Sequence, residues 1–329
     1  MTRALDIFTA PPPRPMLSRD ADSMYWMARY VERAEHVARM LLINSNLLMD
    51  VGDLAPHLQQ RQWKSVLDVM RVGEMPSGRD TIATRIQQYM TFNAENPSSL
   101  LTCLTRAREN ARAIRESISA EMWESLNSLY WSISSDDAQG RFDESHDDFY
   151  RAIMTGSMLF QGLTDQTLAH DQRWLFAQLA KYFERIDVTA RILETRFTIL
   201  KSAELEATIR NIHWMSVLRS CCSIEAYRRN YSGEMDPHRI ASFLILQRNF
   251  PRSVRFCVEK AHEAIAAIRS GIASRAIDPA ERILGRLTAQ LEYAEMNEIL
   301  AEGIQRYLQN IQGSIADAAM AVQKTYFLH

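Results

Sequence analysis

The stretch "ARYVERAEHVARML", residues 28–41, decides how this chain is read. Its apolar residues recur at the three- and four-residue spacing of a helix, yet five charged residues and a histidine stand among them. Residues 180–193, "AKYFERIDVTARIL", repeat the pattern. A shift of 152 lays Ala28 on Ala180, Tyr30 on Tyr182, Glu32-Arg33 on Glu184-Arg185, Ala38 on Ala190, Arg39 on Arg191 and Leu41 on Leu193. Glu35 falls on Asp187, so the acid is kept as well.

Further blocks follow in the same order. "WKSVL" (63–67) matches "WMSVL" (214–218) at a shift of 151, and "FQGL" (160–163) matches "IQGS" (311–314). "PSSLLTCLTRARENARAIR" (97–115) matches "PRSVRFCVEKAHEAIAAIR" (251–269) at a shift of 154. Separated blocks near one offset mark an internal duplication. Helical periodicity dominates, strand-like alternation is scarce, and 11 glycines and 10 prolines are few for 329 residues. The expected fold is an all-α helical bundle of two tandem, pseudo-twofold-related halves with about six helices each. The first repeat spans 16–169, with helices near 18–50, 58–73, 78–92, 97–119, 121–135 and 144–169. The second spans 170–329, with helices near 171–204, 210–231, 237–248, 251–274, 279–296 and 298–326. The polar run "SSDDAQGRFDESHDD" (134–148) reads as a loop. Residues 164–176 pass from helix to helix without a linker, so the halves are expected to pack as one body.

The bulk properties exclude several classes. Hydrophobic residues make up 47%, enough for a large core. A net charge of −2 gives no field for nucleic acid or an anionic membrane. No run of about 18 apolar residues suggests a membrane span. The four cysteines, Cys103, Cys221, Cys222 and Cys257, lack zinc-ligand spacing and fit reduced thiols in a cytoplasmic protein. Residues 1–15, "MTRALDIFTAPPPRP", lack the features of a signal peptide and read as a disordered arm, with Met1 or Met16 as the native start.

At 100° per residue, Met24, Met27, Val31, Ala34, Ala38 and Leu41 form one buried stripe. Glu35 falls within it and Glu32 and Arg39 on its edge, whereas Arg29 and Arg33 point away, at about 140° and 180°. The second copy places Glu184, Asp187 and Arg191 in the same way. Glu35 to Arg39 and Asp187 to Arg191 are i,i+4 pairs with the acid first, the favourable order. An exposed pair of this kind contributes about 0.3–0.5 kcal/mol, but an unpaired member near a buried seam costs about 3–5 kcal/mol. Partners are therefore expected from the other copy.

Three readings of Glu32, Arg33, Glu35, Arg39, Glu184, Arg185, Asp187 and Arg191 follow. They form a network that registers the two halves; or a ligand-binding or catalytic pocket, with Arg39 and Arg191 gripping a carboxylate or phosphate; or part of a carboxylate-bridged metal site. The third would gather Glu32, Glu109, Glu184 and Glu263, with Glu259 and His262 at the spacing of di-iron bundles. Thr105 and Arg108 at the corresponding first-half positions argue against it, so neither metal nor cofactor is expected. Glu109, Glu263, Arg115 and Arg269 are secondary candidates because they recur in both copies. No Gly-rich phosphate loop, GxSxG or HExxH motif is present.

The blocks "MLSRDADSMYWMARYVERAEHVARML" (16–41), "ARENARAIRESISAEMWESLN" (107–127), "WLFAQLAKYFERIDVTARIL" (174–193) and "FPRSVRFC" (250–257) resemble the alpha-E family, all-helical bacterial proteins with a Glu-Arg motif. The resemblance runs from about Met16 to Phe327 and departs at Ala180-Lys181, where the family more usually has Gly-Arg. It implies company: such proteins are encoded beside, or fused to, circularly permuted ATP-grasp-type ligases, often near transglutaminase-like proteases. An accessory role in peptide or amino-acid-conjugate synthesis or modification is what the resemblance implies, with the ATP chemistry on the partner.

Overall fold

The computed structural model describes residues 16–51, 56–73, 77–201, 207–231, 233, 235–270 and 278–327. The proline-rich arm, residues 1–15, lies outside them. The described residues are helical and contain no strand. Residues 18–167 form α1 (Ser18–Val51), α2 (Pro56–Val69), α3 (Ile82–Phe92), α4 (Leu100–Ala113), α5 (Ala120–Ser134), α6 (Ala138–Glu144) and α7 (His146–Thr167). Residues 172–326 form α8 (Gln172–Lys201), α9 (Ala207–Ser220), α10 (Ile224–Asn230), α11 (Pro237–Leu246), α12 (Val254–Ser270), α13 (Pro279–Glu292), α14 (Met296–Glu302) and α15 (Ile304–Tyr326).

The helices number fifteen among the described residues, more than the twelve that periodicity suggests. The predicted loop at 134–148 contains α6, because Ala138 and Phe142 are buried and pin one side of that polar run to the core. The predicted 210–231 helix breaks between α9 and α10, where Cys222 takes φ 53°. Gly303, at φ 98°, divides α14 from α15. That left-handed region suits glycine, which has no Cβ to clash. Pro97 and Pro251 precede their helices instead of opening them. Ser99 caps α4 by accepting from the Thr102 amide, and Ser253 does the same for Phe256.

The two longest helices form the centre. α1 packs against α4, α7, α8 and α9, and α8 packs against α12, α15, α1 and α2. α5 closes over α4 and α7, and α13 over α12 and α15. α2 and α9 each touch both long helices. A single core cluster includes Met24 and Leu41 of α1, Leu104 of α4, Phe183 and Leu193 of α8 and Trp214 of α9. With neighbours on several sides, residues 34–42 and 183–193 are buried without a break. A helix buried all round is ordinarily apolar all round. These two carry carboxylates and guanidiniums instead, so every charge there needs a partner.

Candidate functional site

The Glu-Arg pairs meet where α1 and α8 pack. Glu32 is 1% exposed and Glu184 is fully buried, so each would be strongly penalised without a counter-charge. Arg185 Nε donates to Glu32 Oε1 at 2.7 Å and its Nη2 to Oε2 at 3.2 Å. Reciprocally, Arg33 Nε donates to Glu184 Oε1 at 2.7 Å and its Nη2 to Oε2 at 2.9 Å. Both are fork-to-fork contacts, the strongest geometry for this pair of groups. Arg29 adds a bond from Nε to Glu184 Oε2 at 2.8 Å. Gln161 of α7 donates to Glu32 and accepts from Arg185, closing the near side.

This corrects the helical-wheel expectation. Arg29 and Arg33 do not point to solvent; their guanidiniums reach the Glu184 carboxylate on α8. The wheel assumed one buried face, whereas α1 is flanked on several sides.

Glu35 and Asp187 behave differently. Each pairs within its own helix: Arg39 Nε donates to Glu35 Oε1 at 2.8 Å, and Arg191 Nη2 to Asp187 Oδ2 at 2.9 Å. The remaining Glu35 oxygen accepts from Arg252 Nη2 at 3.0 Å. Arg252 also lies 3.5 Å from Glu32 and so bridges the two acids of α1. Arg191 reaches the Val69 carbonyl at the end of α2, and Arg71 approaches Asp187 at 3.3 Å.

The electrostatics follow from these contacts. Burial works against ionisation of Glu32, but Arg185 and Arg252 outweigh it and hold the carboxyl well below the usual range. Burial likewise opposes ionisation of Glu184, and Arg33 and Arg29 reverse the balance. Glu35 is lowered against burial mainly by Arg252. Lys181 lies beside the cluster, and burial together with Arg185 pushes its ammonium down to about 8. It lines a cavity of about 20 Å³ with Gln161 and Gln178, which is room for roughly one water.

The secondary candidates are not drawn in. Glu109, Glu263 and Arg115 are exposed; Arg115 covers the Trp123 ring and Glu263 pairs with Lys260. Arg269 pairs with Glu281. The four repeat-related glutamates therefore share no metal site. Glu259 is taken by Arg255 at 2.9 Å. Glu32, Glu35 and His36 do bring potential ligand atoms within 4.8 Å of one another. Their carboxylates already face Arg39, Arg185 and Arg252, whose charges oppose a cation.

Sequence reasoning passed over Arg252, although it lies within the "FPRSVRFC" block. The corresponding first-half residue at a shift of 154 is Ser98, so repetition gave no signal. It also passed over a second polar group around Arg196. That guanidinium donates to Gln62 Oε1 at 2.9 Å and to His213 Nδ1 at 2.8 Å, and approaches Ser216 at 3.3 Å.

A family model described as "a predicted alpha-helical domain with a conserved ER motif" matches residues 16–327. The chain belongs to the Alpha-E family. Glu-Arg stands at both repeat-related positions, Glu32-Arg33 and Glu184-Arg185. Similar curated proteins include an uncharacterized protein of Mycobacterium bovis and two uncharacterized proteins of Mycobacterium tuberculosis, each 23% identical over 331 residues. The alignments cover 93% of this Alpha-E chain but only 36% of each relative. No solved structure matches. Among the described residues, no helix is long and apolar enough to cross a membrane.

Proposed function

We propose that this Alpha-E protein is a helical accessory subunit that docks on a circularly permuted ATP-grasp-type amide or peptide ligase in peptide or amino-acid-conjugate synthesis or modification. The observation that carries the reading is the closed pairing of both Glu-Arg motifs. Glu32 and Glu184 each accept a two-bond fork from the arginine of the other motif, and the cavity beside Gln161 and Lys181 holds about one water. A site saturated by its own side chains serves as a lock between helices, which leaves the outer surfaces for work with other proteins. The relatives support this, because there the same unit is about a third of a longer chain and so operates beside further polypeptide. A partner of an ATP-consuming enzyme would act in the cytoplasm.

The lock would join two duplicated halves, 16–169 and 170–329, about a pseudo-twofold axis. Three observations support that arrangement. The Glu-Arg bonds are reciprocal. Arg71 and Cys222, related by the shift of 151, both take a left-handed backbone at the end of corresponding helices. Cys103 and Cys257 each direct the thiol to the carbonyl of the proline six residues before, Pro97 and Pro251.

Co-expression with an ATP-grasp-type ligase encoded beside this protein, followed by size exclusion and an ATP-turnover assay, tests the role. Co-elution and faster or more selective turnover are expected. Separate elution with unchanged turnover would overturn it.

A further inference from the structure

A different polar site opens outside the paired motifs. Arg191, Glu194, Thr195 and Thr198 follow the spacing of one helix face on α8. With Asp68 of α2, Arg71 after it and Gln312 of α15 they line a crevice of about 290 Å³, near the lower end of the volumes that hold small ligands; the Asp68 carboxylate is matched by Lys64 at 2.9 Å. Arg71 and Arg191 share one carboxylate there, Asp187, which leaves one positive charge over. Arg71 is the open member: its side chain is 58% exposed, and its bonds to Asp187 and Gln312 draw on Nη2 alone of a five-donor group. Glu194 carries the opposite excess. Its two oxygens accept from Gln309 at 2.6 Å and Gln312 at 2.8 Å, neutral amides that aim the carboxylate without neutralising it.

One surplus cation and one surplus anion thus face a single small crevice. A simple anion would meet Glu194, and a simple cation would meet the arginines. A molecule bearing both charges a short distance apart satisfies both. Packing does not demand this arrangement. At the repeat offsets, Leu42 stands where Glu194 does and Cys222 where Arg71 does, and Leu42 is buried.

The geometry points to a binding site for a free α-amino acid, with its carboxylate on Arg71 and its ammonium on Glu194. The inference is independent of the ligase partnership, since it concerns the isolated chain. Calorimetric titration of the full chain with each proteinogenic L-amino acid in turn tests it, with acetate and ethylamine as single-charge controls. At least one amino acid is expected to bind. Its N-acetyl and methyl-ester derivatives should bind at least about tenfold more weakly, as should the amino acid itself to Arg71→Ala and Glu194→Gln. Thr195→Leu narrows the crevice without altering a charge and should also abolish binding, which keeps the assignment testable even where Glu194→Gln does not fold. No binding by any amino acid, equal binding of the blocked derivatives or of acetate, or full affinity in folded variants would overturn the assignment.

Discussion

Glu32 on α1 receives Arg185 from α8 at 2.7 Å, and the neighbouring residue, Arg33, returns a bond of the same length to Glu184. Each two-residue motif thus supplies the acid for the other's base and the base for the other's acid. The reciprocity explains how four charges can be buried between two helices. Within one motif the acid and the base cannot pair, because adjacent residues do not face each other on an α-helix.

Removing one member should therefore cost more than the bond itself. Glu184→Gln leaves Arg29 and Arg33 without their carboxylate, and a loss of about 3–5 kcal/mol is expected in urea unfolding. Arg33→Met should cost much less in the Glu184→Gln background than in the wild type, because the two positions are coupled. Additive effects in that cycle would contradict the lock.

The same acids set the response to acid. Their folded-state values lie below the ordinary carboxylate value of about 4.3, so their contribution is fully present above that pH. Below it the unfolded chain takes up protons that the folded chain refuses, and stability falls towards the depressed values. Urea midpoints measured from pH 5 down to about pH 2 should decline steeply in the wild type and less so in Glu184→Gln. Parallel curves would show that Glu184 is not the source.

His213 should act at higher pH. Burial and then Arg196 push its ring down to about 3, so the folded state keeps it neutral while the unfolded chain protonates near 6.5. Stability is expected to fall from about pH 6.5 downward, before the carboxylates titrate. His213→Gln retains an acceptor for Arg196 and should flatten the curve between about pH 6.5 and 5. An unchanged slope there would remove His213 from the account.

Glycines on α7 give a packing test that involves no charge. A Cβ at Gly156 would stand 2.8 Å from Leu129 Cδ1 on α5, whereas one at Gly162 meets nothing within 4 Å. Gly156→Ala should destabilise by about 1–3 kcal/mol if α5 and α7 resist separation. Gly162→Ala should be stabilising by up to about 1 kcal/mol, since alanine is the better helix former. Thermal unfolding of the two variants should move in opposite directions, and a shared direction would show that the Leu129 side chain yields to the added methyl.

Much of the architecture is legible in the residues. The spacing of Met24, Val31, Ala34, Ala38 and Leu41 announces a helix with a buried stripe, and the long helices begin and end close to where the pattern places them. The rest of the architecture depends on contacts that local patterns do not contain. Phe142 turned a polar loop into a helix by reaching the core, and Cys222 ended one by adopting a backbone that the apolar period cannot reveal.

By itself, the sequence determined that the chain is helical, that its charged motif recurs at an offset of 152, and that charges so close to an apolar stripe require partners. Only the tertiary structure decided which partners. It gave Glu32 to Arg185 and Glu184 to Arg33, left Asp187 to Arg191 and Arg71, and brought in Arg252 from a turn more than two hundred residues away from Glu35. The reason is geometric. Periodicity gives the direction of each side chain about its own helix axis, whereas the counter-charge it meets depends on which other helix crosses there.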